Sequence, residues 1–436
     1  MKLPPFRVAS KGQTTYPEGP QDLVHRRVRK QGVIGKRGVA LVAMLVGLLA
    51  LAPAAAFGQS LSTRLDRALA TQGVTRAQTG VFAYNLQTNR LVYGRNTMRA
   101  FEPASVQKLT VALTALDRFG PGYRIPTDVL GDGTRTGATW KGRLVLKGYG
   151  DPTLTVAKIR TLARAIYASG IRTVTGRVIA DESYYDTRRT CPGWKASWYK
   201  IESPPLSALV VARAKVNGRT VDNPARAAGD ALHAALRAAG VRVLHPPRVG
   251  KAAPGSTRLA GVHSSPLSLV LRTMNKMSDN FRAEMLLKHL GKKERGAGTS
   301  RAGAIVIRNE LNERGVPLQG LRVVDGSGLS PYDKLTARGV ALLLVSAWFD
   351  TRVKSALVSS LAIAGIDGTL EDRMRRAPAR GRVRAKTGTT MTSSALAGFA
   401  GTRYVFAILQ NRPSIPWQNA RRAQDRFAQI LAGAAG

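Results

Sequence analysis

The sequence predicts an α/β (α+β) fold: an antiparallel sheet with helices against it, interrupted by an inserted α+β domain. Three observations predict it. Segments of strand-like alternation stand near both ends of the folded part, at residues 80–94 and 382–409. Stretches of helical spacing lie between them, at 105–119 and between 264 and 349. Residues 126–261 differ from both, with short strands and helices in alternation.

At 436 residues the chain is long enough for two or three domains with cores of their own. An apolar content of 44% is ordinary for a globular protein. The single cysteine, Cys191, excludes an internal disulfide framework and a multi-cysteine zinc site. The five histidines are scattered without metal-ligand spacing, so neither a metal nor a cofactor is expected. The net charge is +41. Residues 1–37 hold nine basic and two acidic residues, which leaves +34 on the rest. Such a charge suits anionic surroundings, an acidic membrane or cell-envelope polymer. The positive charges are dispersed, mostly arginine, with no basic motif interleaved with aromatics, and nucleic acid is not expected as a partner.

Taken in order, residues 1–37 are polar and basic and read as a disordered cytoplasmic tail. Residues 38–57 are uncharged and apolar and end near Ala54-Ala55-Ala56. A basic lead, an apolar core and small residues are the pattern of an export signal. About 20 apolar residues can also remain as an anchor. Either way the remainder is expected outside the cytoplasmic membrane, in the periplasm or the wider cell envelope.

The folded part is expected from residue 58. Residues 60–72 carry Leu61, Leu65, Ala68 and Leu69 on one side of a short helix. Residues 80–85 and 90–94 read as a hairpin. Pro103 ends what precedes it. Ser105 opens a helix that Gly120-Pro121-Gly122 stops. This first part of the main domain runs to 125. The inserted domain, 126–261, carries strands at 139–148, 174–181, 209–216 and 241–244, and helices at about 156–168 and 225–239. An aromatic-bearing loop with Tyr184, Tyr185 and Trp194 lies within it. The main domain resumes at 262, with helices to about 290, at 300–314 and at 336–349. Three antiparallel strands follow between 382 and 409, and a last helix at 417–432 can cover a sheet face.

Chemistry concentrates in three short motifs. Ser105-x-x-Lys108 puts an amine one helical turn from a hydroxyl at a helix start. A serine is a weak nucleophile until a base takes its proton, and a lysine is that base only if its pKa, normally about 10.4, is lowered by burial or by a second cation. Taken alone, the pair also fits a capping serine and a solvated lysine. Ser278-Asp279-Asn280 and Lys386-Thr387-Gly388 then follow in order, 173 residues separating Ser105 from Ser278. Together the three are the signature of serine β-lactamases and penicillin-binding proteins.

The resemblance is narrower than that superfamily. Residues 264–290, Val324-Asp-Gly-Ser-Gly-Leu-Ser330, Ala364-Gly-Ile-Asp-Gly-Thr-Leu370 and Ala385-Lys-Thr-Gly-Thr389 resemble the D-alanyl-D-alanine carboxypeptidase/endopeptidase family, the class C low-molecular-mass penicillin-binding proteins. The likeness covers most of residues 60–436. It implies a penicillin-recognising serine transferase fold interrupted between its first two motifs. Better-known members carry two nested modules there. Val216–Pro224 runs straight on where the second would lie, so that module is expected to be missing or vestigial.

The resemblance also implies roles. Ser105 is the nucleophile toward the penultimate D-alanine of peptidoglycan stem peptides, and β-lactam antibiotics acylate the same serine. Lys108 is the base, its pKa lowered by Lys386 and Asn280. Ser278 relays a proton to the leaving amine, and Asn280 holds the substrate amide. Lys386, Thr387 and Thr389 meet the terminal carboxylate, Gly388 stands between them, and the strand edge 386–390 pairs with the peptide. The N–H groups of Ser105 and Thr389 form the oxyanion hole.

Competing readings are blander. Ser327 reads as a tight-turn residue, Asp279 as structural, Cys191 as buried and inert, and Tyr184, Tyr185 and Trp194 as packing. A Ser-His-Asp triad would need a histidine at an unmarked position. A β-lactamase and a non-catalytic wall-binding scaffold of the same fold are the alternatives to a peptidase. No Glu-x-x-x-Asn arrangement between the first two motifs resembles the one that holds a hydrolytic water in class A β-lactamases.

Overall fold

The computed structural model describes residues 59–435. The expected tail and export segment, 1–37 and 38–57, lie outside the described residues. No helix among the described residues is long and apolar enough to cross a membrane.

The main sheet has six antiparallel strands, in the order Ala362–Ile363, Val383–Thr389, Ser393–Ala400, Tyr404–Asn411, Thr79–Asn85 and Arg90–Arg95. Segments from the two ends of the described chain therefore pair directly, with Ala83 opposite Phe406. The four central strands are buried almost throughout. Alternation sends their side chains into two different cores. Phe82, Tyr84, Ala397, Phe399, Val405 and Leu409 face one core, with the helices Lys108–Phe119, Leu267–Lys276, Asn280–Arg295 and Ala337–Phe349. Val81, Ala83, Leu396, Phe406 and Ile408 face the other, with Leu65 of the helix Leu61–Ala68 and Phe427 and Leu431 of the helix Trp417–Ala434. The expectation of a last helix covering a sheet face is met there. Each fully enclosed leucine or phenylalanine contributes about 1.5–3 kcal/mol relative to leaving it in water.

A second sheet is built wholly from residues 126–263. Its order is Thr257–His263, Pro126–Thr136, Thr139–Gly148, Thr173–Asp181 and Arg242–Val249. The first three strands are antiparallel and the last three parallel. Parallel neighbours need a crossover, and the helices Val156–Ala168 and Pro224–Ala238 supply them. Both start as the sequence suggests. Thr155 Oγ1 accepts from Lys158 N at 3.3 Å and Asn223 Oδ1 from Arg226 N at 2.9 Å, with Pro224 in the first turn. Ile159, Leu162, Ile166, Leu232 and Leu236 then pack on Val178 and Leu144.

One expected strand is not one. Residues 209–216 alternate like a strand, yet Ala212, Arg213 and Ala214 all take left-handed φ, +50°, +57° and +57°. The segment crosses irregularly over the end of Thr139–Gly148. A Cβ on Gly148 would stand 2.3 Å from Ala208 O, so only glycine lets it pass so close. Only Lys215–Val216 is a strand, in a hairpin with Arg219–Thr220. The sequence reading also passed over the strands Pro126–Thr136 and Thr257–His263 and the helix Thr351–Ser360. Pro126–Thr136 is rich in Gly, Asp and Thr and becomes a strand through its ten-pair ladder with Thr139–Gly148.

Candidate active site

The first motif enters through a strained corner. Ala104 has φ +45° and opens a 3₁₀ turn, Ala104–Gln107, which leads into the helix Lys108–Phe119. Ser105 therefore sits in that turn just ahead of the α-helix and caps nothing with its side chain. Lys108 is fully enclosed. Its Nζ lies 2.8 Å from Ser105 Oγ, 2.8 Å from Asn280 Oδ1 and 2.7 Å from Ser327 O. Two of these three neighbours can only accept. A neutral amine has two N–H groups and one lone pair. With its N–H groups given to Asn280 Oδ1 and Ser327 O, the lone pair is left for the Ser105 hydroxyl.

Electrostatics bring the neutral amine within reach at mildly alkaline pH. Burial pushes Lys108 down to about 8, against the pull of Asp325, Glu284, Asp279 and Glu202, whose charges favour the protonated form. Of the causes expected, burial is the main one, and Lys386 and Asn280 are not. The coupling to Lys386 shows on the other partner. Lys386, also fully enclosed, is held well below the usual lysine range by burial first and by the charge of Lys108 second.

The second motif sits between two helices, Leu267–Lys276 and Asn280–Arg295. Ser278 takes φ +55° there, a second left-handed non-glycine beside the first motif's Ala104. Its Oγ accepts from Lys386 Nζ at 2.9 Å. Asp279 is structural, as expected. It caps the Asn280 helix through Arg282 N at 3.1 Å and pairs with Arg213 at 2.6 Å and with Arg282. Asn280 is thus fixed at a helix start, its Nδ2 donating to Glu202 O at 2.9 Å.

The third motif lies on the strand Val383–Thr389. Ser393–Ala400 pairs along one side of it, while Ala362–Ile363 reaches only Ala385 and Arg384 on the other. From Lys386 onward that edge has no strand partner among the described residues. Thr387 Oγ1 donates to Thr369 Oγ1 at 2.8 Å. Gly388 meets the first motif: a Cβ there would stand 2.7 Å from Pro103 O and 3.1 Å from Ser105 N. Glycine is what lets the strand approach the nucleophile's turn. Thr389 Oγ1 accepts from Arg421 Nη2 at 3.1 Å.

Ser105, Lys108 and Asn280 therefore form one hydrogen-bonded group and Ser278 and Lys386 a second, the two close enough for the charge of Lys108 to act on Lys386, and Gly388 abuts the first. The sequence reading missed Thr369, Glu202, Arg421, Glu284 and the Ser327 carbonyl. A carbonyl has no side-chain signature, Glu202 and Arg421 lie outside every motif, and Glu284 and Thr369 lie inside stretches that carry the family resemblance without a spacing that singles them out. The bland readings hold for the other candidates. Ser327 is buried in a turn, its Oγ accepting from Leu329 N at 3.4 Å. Cys191 is buried and its thiol is pushed well up by burial. Tyr185 packs with His289, whose imidazole burial pushes down to about 4.

The chain matches the D-Ala-D-Ala carboxypeptidase 3 (S13) family over residues 61–218 and 211–433. It is 30% identical to a D-alanyl-D-alanine carboxypeptidase of Actinomadura sp., over 96% of this chain and 94% of that protein. It is also 30% identical to Carboxypeptidase DacB of Mycolicibacterium smegmatis, over 84% of this chain and 81% of that one. Among solved structures, penicillin binding protein 4 (dacB) from Haemophilus influenzae superposes with a TM-score of 0.73 at 21% identity. That match covers 86% of this chain and 98% of the other, a likeness of fold.

Proposed function

The chain belongs to the D-Ala-D-Ala carboxypeptidase 3 (S13) family, a family of serine peptidases, and from that premise we propose how its own residues do the chemistry. The enzyme is a serine-type D-Ala-D-Ala carboxypeptidase/endopeptidase of peptidoglycan stem peptides. The observation that carries the assignment of roles is the triple contact of Lys108 Nζ with Ser105 Oγ, Asn280 Oδ1 and Ser327 O.

Neutral Lys108 takes the Ser105 proton as Oγ attacks the carbonyl carbon of the penultimate D-alanine. The developing oxyanion meets the backbone N–H groups of Ser105 and Thr389, each such donor being worth about 10²–10³ in rate. Ser278, hydrogen-bonded to Lys386, passes a proton to the departing amine. That amine is D-alanine in the carboxypeptidase reaction and a cross-linking diaminoacyl residue in the endopeptidase one. Lys386, Thr387 and Thr389 face the terminal carboxylate, Asn280 holds the acyl-donor amide, and the open edge from Lys386 pairs with the peptide backbone. Water then cleaves the acyl-serine ester. A β-lactam opens on Ser105 in the same way, but its leaving amine stays tethered, which prolongs the adduct.

Residues 126–261 form an inserted domain on this reading, and residues 38–57 export the enzyme to an anionic envelope that suits its remaining charge of +34. The deciding experiment measures D-alanine release from a diacyl-Lys-D-Ala-D-Ala peptide beside the half-life of the penicillin adduct. Release with a long-lived adduct is expected. Rapid penicillin turnover with no D-alanine from peptide or muropeptide would favour a β-lactamase.

A further inference from the structure

Beneath Lys108 lies a closed group of acids that belongs to none of the three motifs. Glu284, Asp325 and Asp333 are all 0% exposed. Glu284 is one turn past Asn280 on the same helix. Its Oε1 accepts the N–H groups of Ser327 at 2.8 Å and Gly326 at 3.1 Å. Its Oε2 accepts Gly326 N at 3.0 Å and the Cys191 thiol at 3.1 Å. Asp325 accepts Gly328 N at 2.6 Å, Ser330 N at 2.8 Å and Trp194 Nε1 at 2.8 Å.

We infer that Glu284 is a positioning residue for proton transfer between Ser105 and Lys108: it holds the loop whose Ser327 carbonyl touches Lys108 Nζ, and its charge helps set how firmly Lys108 keeps a proton. The inference rests on Lys108 as the base, as proposed above. The peptide unit that carries the Ser327 carbonyl also carries Gly328 N–H, and a planar trans peptide points the two in opposite directions. Asp325 holds that N–H, so the carbonyl is turned toward the lysine. Glu284 holds the N–H groups of the two preceding peptides, so the loop has no free peptide to rotate. The packing leaves no slack, because a Cβ on Gly328 would fall 1.8 Å from Ala104 O, beside the nucleophile.

The charges around these groups are few. Asp325, Glu284, Asp279 and Glu202 face Lys108 and favour its proton, and Lys386 opposes it. Cys191, Asp325 and Lys108 face Glu284. Burial first and the charge of Asp325 second push Glu284 up to about 7. Asp333 is pushed well up by burial and by Asp325. Kept as an acid, it can give its otherwise unpartnered Oδ2 proton to Asp325. Glu284 and Lys108 are thus shifted toward each other by burial, and the charge of Glu284, where it is ionised, delays the loss of the Lys108 proton.

The test is the pH profile of benzylpenicillin acylation of the full chain, from about pH 5.5 to pH 10. Glu284→Gln removes the charge and should move the midpoint to lower pH by about half to one unit. Glu284→Asp keeps the charge and should restore the midpoint while leaving the rate low, because the shorter side chain reaches the loop poorly. An unmoved midpoint in Glu284→Gln, with only a lower melting temperature, would overturn the inference. If that variant does not fold, Cys191→Ala takes its place. Loss of the thiol donor raises the hold of Glu284 on its proton, so the midpoint shifts the same way over a smaller range, and a flat result overturns the idea. A wild-type profile with no midpoint between neutral and alkaline pH would instead remove Lys108 as the base.

Discussion

Lys108 Nζ stands 2.8 Å from Ser105 Oγ, and the lysine is completely enclosed while the serine is partly open. The pairing is local, three residues along one turn, but its chemistry depends on the enclosure. An exposed lysine would keep its proton at neutral pH and could not accept another.

The first prediction is a pH dependence. The base form of Lys108 is the deprotonated one, and burial lowers the pKa to about 8. Acylation by penicillin should therefore fall as pH drops below about 8 and level off above it. Lys108→Arg stays protonated and should lose about 10²–10⁴ in acylation rate. Stopped-flow acylation across pH checks both, and an active arginine variant would point to another base.

Ser105→Ala should abolish covalent labelling by a fluorescent penicillin and leave the fold intact. Ser105 caps no helix, and among the described residues its hydroxyl is hydrogen-bonded to Lys108 alone. The melting temperature should move by less than about 4 °C. Labelling that survives in the folded variant would remove Ser105 as the nucleophile.

Gly388→Ala tests the contact between the third motif and the first. The added methyl would press on Pro103 O and approach Ser105 N. Overpacking of this kind costs about 1–3 kcal/mol, seen as an earlier urea midpoint. Displacing the nucleophile should also cost at least about tenfold in D-alanine release. Unchanged release with unchanged stability would mean the two segments are not held together as tightly as they pack here.

Residues 38–57 should direct export, and a net charge of +34 on the rest should favour an anionic envelope. A reporter fused after Gly58 should appear outside the cytoplasmic membrane. Binding to purified walls should weaken as salt rises, because surface charges are screened over about 10 Å at 0.1 M. A cytoplasmic reporter or salt-independent binding would contradict these two expectations separately.

Much of the fold was legible because its cues are local. The sequence places a helix at about 156–168, where the structure has Val156–Ala168, and the alternation after 382 places the last strands. Residues 209–216 misled for the same reason. Leu209, Val210 and Val211 are apolar because the segment that carries them is buried where it crosses Thr139–Gly148, and alternation cannot tell that burial from a ladder.

The sequence by itself determined the order of the three motifs and the single turn that separates Ser105 from Lys108. These rest on residue identity and on spacings of a few residues. Only the tertiary structure decided that Ser327 presents its carbonyl to Lys108, that Glu284 and Asp325 hold that carbonyl from behind, and that burial rather than Lys386 lowers the amine's pKa. Backbone groups look alike in every sequence, and burial is a property of everything packed around a side chain. Neither can be read until residues far apart in the chain, such as Lys108 and Ser327, are brought together.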